Sequence, residues 1–390
     1  CQVIEIRSWQ TEQAITMFNS LNSTGLPLSD ADIISAKMYS NAGEQRELFN
    51  AKWQDIVCKA NELSAKNIVS LDSILQQYMY IFRAQTKEYI KVNDDNLIVN
   101  VTTPGLRKFY TAEHEELLKE PMELCEHLYK IAQLWDDIKD YYEVRLLLKF
   151  NDNAKLYLMA YLYRFNPTQL THENVAAICE LLLRLFAILE LVDAGYSSSY
   201  FKTFLFAEAI KLVDSQVSMD ELCNDFDAHI GKTWTIETLR QEIDEYDKNV
   251  LVFLNEYLYA KEKGVAFSFT ETVNVEHIMP ASGHYIEVIR EDANIATRED
   301  FITLVNKLGN KILLEDDINK SIGKEWFKCK KSKSVKLKMG YRDSRYPLAV
   351  ALSEYPSDVW TKEDINTATE KVTTRMVKFI KNTHESEEIK

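Results

Sequence analysis

Hydrophobic side chains recur at spacings of three and four residues over most of the stretch between residues 46 and 262. This period places them on one face of a helix, so the pattern predicts a long series of helices. Turn signals at 166–167, 193–195 and 231–233 separate some of the segments. The predicted helices cover residues 48–59, 70–84, 122–150, 154–165, 173–192, 200–213 and 235–261.

The first 45 residues have a different pattern. Residues 3–6 are strand-like, residues 10–21 have helical spacing, and residues 23–27 form a predicted turn. Ser29 is placed to cap a helix over residues 30–40, and Asp30 and Asp32 suit its first turn because carboxylates are favoured at helix N-termini. Since the chain opens at Cys1 in what resembles the middle of a strand, we expect a fragment that has lost its natural N-terminus.

The pattern changes again at Gly264. Residues 267–276 alternate between apolar and polar and end at His277, which predicts a strand. A loop-rich stretch follows, then a short helix over 298–307, a turn at 309–310 and a second strand over 311–314. A further helix is predicted from residue 317 or 319 to about 330, which gives the order strand–loop–strand–helix (ββα). A terminal helix over 362–381 and a frayed tail from 384 complete the chain.

Composition is consistent with a mainly helical, water-exposed chain. Ten glycines and seven prolines fall well below the average share of roughly 12%, which favours long helices over hairpins. The net charge of −14 argues against a nucleic-acid coat protein. Six scattered cysteines without a C-x-x-C pair predict neither a disulfide framework nor a zinc knuckle and fit the cytoplasm. The most apolar run, 178–192, contains three charged residues, so no membrane span is expected.

Residues 270–340 carry the groups that hydrolysis of a phosphodiester needs. A neutral His277 imidazole can take a proton from water, and the neighbouring Glu276 offers a hard oxygen donor for Mg²⁺. Asn319, near the start of the last helix of the ββα order, offers a second oxygen, whereas Asn310 is better placed to order its loop by hydrogen bonds. Because adjacent strand residues point to opposite faces, a bend near Pro280 must bring Glu276 and His277 together.

A local charge reversal follows these residues. Residues 320–346 contain ten Lys and Arg against two acidic side chains, a net charge of +8 within an acidic chain. Such a patch is what binding to DNA phosphates requires, although a lysine run can also be a merely solvated face. The predicted DNA-binding lysines are Lys320, Lys324, Lys328, Lys330, Lys331 and Lys333.

Taken together, Glu276-His277-Ile278-Met279-Pro280, the segment 308–314 with Gly309-Asn310, and Asn319 resemble the HNH (ββα-metal) domain of GmrSD-type restriction endonucleases. These are type IV, modification-dependent enzymes. The resemblance covers roughly 265–385. It implies His277 as general base, Asn310 as a supporting residue of the catalytic set, Glu276 and Asn319 as ligands of Mg²⁺ (or Mn²⁺), and DNA, in modified form, as substrate. One departure is Glu276, where the wider HNH group often has Asp or His.

Residues 18–33 resemble the end of the ParB-like domain that precedes the HNH domain in that family. The DGQQR motif of this domain does not occur here, so any nucleoside triphosphate would act only through a missing N-terminal segment. The predicted architecture is mainly α, with a long helical middle region and a small ββα-metal nuclease module near the C-terminus. Its parts are a ParB-like remnant (1–45), a helical linker or sensor (46–263), the HNH domain (264–340) and a helical extension (341–390).

The leading hypothesis is therefore a cytoplasmic, metal-dependent DNA endonuclease of an anti-phage restriction system, which could form homo-oligomers. A lone histidine at a strand end is more often structural than catalytic, and only the ordered set around His277 reverses that preference. One alternative is a non-catalytic DNA- or partner-binding module. Another is a nucleotide-driven regulator in which the nuclease is secondary.

Overall fold

A computed structural model describes residues 10, 12–13, 16–17, 28–93, 96–269, 272–331 and 339–383 of the chain. The features expected at 3–6, at 23–27 and beyond 384 lie outside these residues. The chain divides into two compact units. Unit 1 comprises residues 1–141, 155–178 and 202–218, and unit 2 comprises residues 142–154, 179–201 and 219–390.

Unit 1 is built from helices and one hairpin. Within the described residues it begins with α1 (Asp30–Asn41), α2 (Arg46–Ala65) and α3 (Leu71–Gln85), followed by the antiparallel strands β1 (Ile90–Asn93) and β2 (Asn96–Val99). A single turn, α4 (Leu106–Lys108), leads through a π-helical segment to α5 (Pro121–Ile138). Further along the chain come α6 (Tyr142–Phe150), which belongs to unit 2, and then α7 (Ala154–Leu162), α8 (His172–Leu191) and α9 (Ser199–Leu212), each of which has residues in both units.

The caps and core contacts of unit 1 follow from its sequence. Ser29 caps α1, as predicted, and the structure adds a reciprocal capping box with Asp32. Trp135 on α5 is fully buried, and its indole N–H donates to Gln77 Oε1 on α3 at 2.7 Å. This bond satisfies two polar groups that would otherwise be costly inside an apolar core.

Unit 2 contains the C-terminal half of the chain. Its later elements are α10 (Met219–Thr233), α11 (Ile236–Glu245), α12 (Val250–Lys263), β3 (Val273–His277), α13 (Ile286–Asp292), α14 (Arg298–Asn306), β4 (Lys311–Glu315), α15 (Asp316–Ile322), α16 (Phe327–Lys331), α17 (Pro347–Ser353) and α18 (Lys362–Lys381). Strands β3 and β4 pair antiparallel and form the only sheet among the described residues of this unit. Helices α12 and α17 pack against β4, and α15 packs against both strands.

The mainly helical architecture is confirmed, but several predicted elements are wrong in detail. The helix expected over 235–261 is two helices, because buried Tyr246 ends the first and its phenol oxygen accepts the N–H groups of Val250 and Leu251 at the start of the second. The helix expected over 122–150 also breaks in two, and the predicted turn at 231–233 lies inside α10. The hairpin β1–β2 and the helix α13 were not predicted.

The helix expected to follow β4 is divided as well. Gly323 has a φ of +57°, in the left-handed region that favours glycine, and it ends α15 before α16 begins at Phe327. By contrast, the terminal helix has the predicted bounds, with a capping box at Thr361 and a left-handed Asn382 at its end. Within the described ranges, no helix is long and apolar enough to cross a membrane.

Candidate active site

The strand pair β3–β4 places His277 at the point where the sheet ends. The register pairs Val273 with Glu315 and His277 with Lys311, and the ladder continues one step further because Ile278 N donates to Asn310 O at 2.9 Å. Successive strand residues face opposite sides of a sheet. Glu276 is buried and His277 is half-buried at this end of the sheet.

Asn310 fixes the backbone that follows His277. Its side-chain oxygen accepts from Met279 N at 2.8 Å, and its amide donates to Met279 O and Val305 O, both at 3.0 Å. The side chain is fully buried, so its polar groups are used inside the protein. This geometry agrees with a supporting role for Asn310 and offers no contact with a substrate.

Gly309 is required beside Asn310 because the turn lies directly against α18. A Cβ atom on residue 309 would lie 2.3 Å from Thr369 N and 2.6 Å from Ile365 O. Both are backbone atoms of a helix, which cannot move aside as a flexible side chain could. The Gly309-Asn310 sequence therefore lets the turn dock on α18 and hold the end of β3 at the same time.

Glu276 lies in a buried ion pair that the sequence did not predict. Its Oε1 atom contacts Lys330 Nζ on α16 and accepts from the Tyr341 hydroxyl at 3.1 Å. Lys330 also donates to the backbone oxygens of His277 at 2.8 Å and Ile278 at 3.2 Å. Burial raises the pKa of Glu276, and the Lys330 ammonium opposes this shift. The ammonium thus ties α16 to the end of β3.

As placed, Glu276 does not fit the role of a metal ligand. The carboxylate is only 7% exposed, and a cation bound to it would have to compete with the Lys330 ammonium. Half-buried Asn319 on α15 makes no hydrogen bond with Glu276 or His277 among the described residues. Within those same residues, no group of three or more His, Cys, Asp or Glu side chains could hold a metal ion. The ligand roles predicted for Glu276 and Asn319 stay predictions.

His277 is surrounded by positive charge. Burial and the ammonium groups of Lys311 and Lys330 lower the pKa of its imidazole to about 4. Lys311 is itself buried, and its Nζ donates to Lys248 O at 3.1 Å and contacts Asp247 O in the break between α11 and α12. The imidazole is therefore neutral at physiological pH, which is the protonation state that a proton acceptor needs.

The predicted DNA-binding lysines fall into two groups. Lys330 and Lys331 are buried: the first pairs with Glu276, and the second donates to the backbone oxygens of Tyr355 and Ser357, each at 2.8 Å. Their burial argues against the phosphate-binding role predicted for them. Lys333 lies outside the described residues. The remaining three, Lys320, Lys324 and Lys328, are exposed and are called the exposed lysines.

Two neighbours of the site were missed from the sequence. Lys311 pairs with His277 in the strand register, and the predicted ends of the two strands could have indicated this pairing. Fully buried Tyr341 lies 65 positions from its partner Glu276, and nothing in the local sequence points to that contact. Lys311 is the first residue of β4, and Tyr341 lies between α16 and α17.

Comparison with known proteins agrees with this location. No curated protein matches the chain. Residues 227–375, which contain every site residue named above, match the family described as GmrSD restriction endonucleases, C-terminal domain. This match supports a GmrSD-type C-terminal domain over that part of the chain.

Proposed function

We propose that unit 2 is a DNA endonuclease of a restriction system in which His277 is the general base. The observation that carries the proposal is the location of a neutral, half-buried His277 at a hydrogen-bonded strand end inside the segment that matches the GmrSD C-terminal domain. A general base must be deprotonated before it can activate water, and this imidazole meets that condition at neutral pH.

The surrounding residues divide the remaining tasks. Asn310 and Lys330 hold the backbone of residues 277–279, so the strand end that carries the imidazole stays in place while a phosphodiester approaches. The exposed lysines offer ammonium groups to DNA phosphates on the segment that follows β4. Water that gives a proton to His277 would attack the phosphorus of a phosphodiester; the bond from phosphorus to one ester oxygen would break, and that oxygen would take a proton from solvent and leave as a hydroxyl group.

Several finer features belong to the proposal as predictions. These are dependence on Mg²⁺ or Mn²⁺, a preference for modified DNA, assembly into homo-oligomers, and control by a nucleoside triphosphate bound elsewhere. A divalent cation, when bound, would supply positive charge to the leaving oxygen.

A cleavage assay tests the proposal. The full chain is incubated with modified and unmodified plasmid DNA, with Mg²⁺, Mn²⁺ or chelator and with or without nucleoside triphosphate. Nicked or linear product that depends on the protein is expected. No cleavage in any of these conditions, with DNA binding retained, contradicts the proposal.

The alternative of a non-catalytic DNA- or partner-binding module is favoured by one observation, the engagement of Glu276 by Lys330. A titration with Mn²⁺, followed by calorimetry, distinguishes the two functions when the Glu276→Gln and Asn319→Ala variants are compared with the parent chain. Binding of Mn²⁺ that either substitution weakens favours the nuclease. The absence of binding favours the module.

A further inference from the structure

A patch of exposed apolar and aromatic side chains lies beside the candidate site. Tyr285 is 51% exposed and Val288, one helical turn later, is 47% exposed. The Tyr285 ring lies 4.9 Å from the ring of half-buried Trp326, with 36° between their planes. The ring centroid of His284 also lies 4.9 Å from that of Tyr285. His284, Tyr285, Val288 and Trp326 are together called the aromatic patch, after the three rings that form most of it.

The aromatic patch is connected to the strand end at His277 indirectly, through Lys330 and through a shared cavity. Lys330 N donates to Trp326 O at 3.2 Å, and the ammonium of the same lysine donates to His277 O at 2.8 Å. Trp326 also lines a small cavity of about 20 Å³ together with Ile278, Met279 and Pro280, the residues that follow His277. One turn of helix, about 5.4 Å, thus separates Trp326 from Lys330, which holds the end of β3 at His277.

Positive charge accompanies the aromatic rings. Lys324 and Lys328 stand two positions before and two positions after Trp326, and both are exposed. Lys324 Nζ contacts Ser282 Oγ at 2.7 Å, which holds the 282–285 loop next to α16. Carboxylates also lie near the aromatic patch: Glu287 and Glu291 on α13 are exposed, and Asp292 Oδ2 accepts from Trp326 Nε1 at 3.4 Å. The phosphates of a bound strand would meet the ammonium groups of Lys324 and Lys328, and the aromatic rings would meet its uncharged bases.

We propose that the aromatic patch stacks on an unpaired base of the DNA strand whose backbone lies at His277, a proposal that rests on the proposed nuclease function. Aromatic rings beside lysines are the combination by which proteins bind single-stranded DNA, because every base offers a π-face while its phosphates meet ammonium groups. Bases inside a paired duplex stack on each other and leave no face free. The substrate class is therefore DNA that is single-stranded, gapped or mismatched at the cleavage position, or that the enzyme itself opens there.

Binding measured without cleavage tests this proposal. The full chain carrying His277→Ala, with chelator present, is titrated with a single-stranded oligonucleotide that contains 2-aminopurine and with a fully paired duplex. We expect quenching of the 2-aminopurine on the single strand. Adding Tyr285→Ala should weaken single-strand affinity on the order of tenfold, the usual effect of removing one stacking ring. Tyr285→Phe keeps the ring and should retain the affinity.

A matched control is Tyr129→Ala, which removes a tyrosine of similar exposure (42%) in unit 1 and should leave affinity unchanged. An unchanged dissociation constant in the Tyr285→Ala variant, or an equal loss on single-stranded and paired DNA, overturns the stacking proposal. Because the assay needs no cleavage, stacking without activity in the parent chain would instead contradict the nuclease function. Failure of the parent chain to bind any DNA contradicts both.

Discussion

Replacing Lys330 by methionine should destabilise unit 2 strongly, because it removes the ammonium from a buried ion pair. Methionine keeps most of the length and volume of the side chain, so the charge is the main change. Lys330 is 1% exposed and donates to Glu276 and to two backbone oxygens. In the variant, Glu276 keeps the bonds from the Tyr341 hydroxyl and the His277 backbone but loses its only described cationic partner.

Two independent estimates give the same magnitude. Removing one partner of a buried ion pair typically lowers the free energy of unfolding by about 3–5 kcal/mol. Alternatively, Glu276 in the variant, without its ammonium partner, takes up a proton on folding. With a pKa of about 4.3 in the unfolded chain and about 1.36 kcal/mol per pH unit, that uptake costs about 3.7 kcal/mol at pH 7. We therefore expect a loss of about 3–5 kcal/mol.

The dependence on pH identifies the cause. If the folded variant holds a protonated Glu276 while the unfolded chain does not, the folded state binds one more proton, and its free energy of unfolding rises as pH falls. Because the pKa of Glu276 is raised in the parent as well, the difference between parent and variant should shrink by up to about 1.4 kcal/mol per unit from pH 7 to pH 5. Urea unfolding of the full chain, followed by tryptophan fluorescence, measures this difference.

Lys328→Met is the matched control. This lysine lies two positions away on α16 and pairs with Asp358 at 2.9 Å, but it is exposed to solvent, where water and salt weaken an ion pair. Its substitution should leave the urea midpoint nearly unchanged at every pH. A Lys330→Met variant that behaves like this control, or one whose deficit does not vary with pH, would refute the buried pair.

Three further predictions address other parts of the site. Gly309→Ala should lower the free energy of unfolding by about 3 kcal/mol or more, because the added Cβ would meet the backbone of Thr369. The control Gly231→Ala has open space around it inside α10 and should raise the free energy of unfolding by up to about 1 kcal/mol. Thermal unfolding in which the two variants behave alike would contradict this packing. Changing the exposed lysines to glutamine should lower the slope of log affinity for DNA against log salt by about 0.9 for each DNA phosphate that the protein no longer neutralises, and an unchanged slope in a salt titration would place the phosphates elsewhere. Because the pKa of His277 is lowered to about 4, cleavage measured as kcat/KM should stay constant from pH 8 down to about 5, and a fall centred near 6.5 would show an imidazole without this shift.

The sequence predicted the parts of the fold that depend on local signals. The last helix has its predicted ends because Thr361 caps one end and Asn382 adopts the left-handed conformation at the other. The second strand of the site was also predicted, as was the way Asn310 orders its turn, whereas the first strand begins at Val273 and not at 267 as predicted. Each depends on a few consecutive residues whose conformational preferences agree.

The remaining features depend on interactions between distant residues. Lys330 looked like one more member of a basic run, yet its ammonium is buried against Glu276, 54 positions earlier in the chain. Tyr246 divides a helix that its apolar spacing predicted to be continuous, because its hydroxyl accepts from the next helix. The spacing of apolar residues cannot predict which lysine will be buried or which tyrosine will cap a helix, because tertiary packing decides both.

The most direct test of the account compares the parent chain with His277→Ala in a DNA cleavage assay at pH 7.5 with Mg²⁺ or Mn²⁺, alongside DNA affinity and the urea midpoint of each protein. We expect cleavage by the variant to be lost while its DNA affinity and its unfolding midpoint stay close to those of the parent, because the half-buried imidazole makes no hydrogen bond through its ring among the described residues. Cleavage by His277→Ala at the parent rate would contradict the assignment of His277 as the general base.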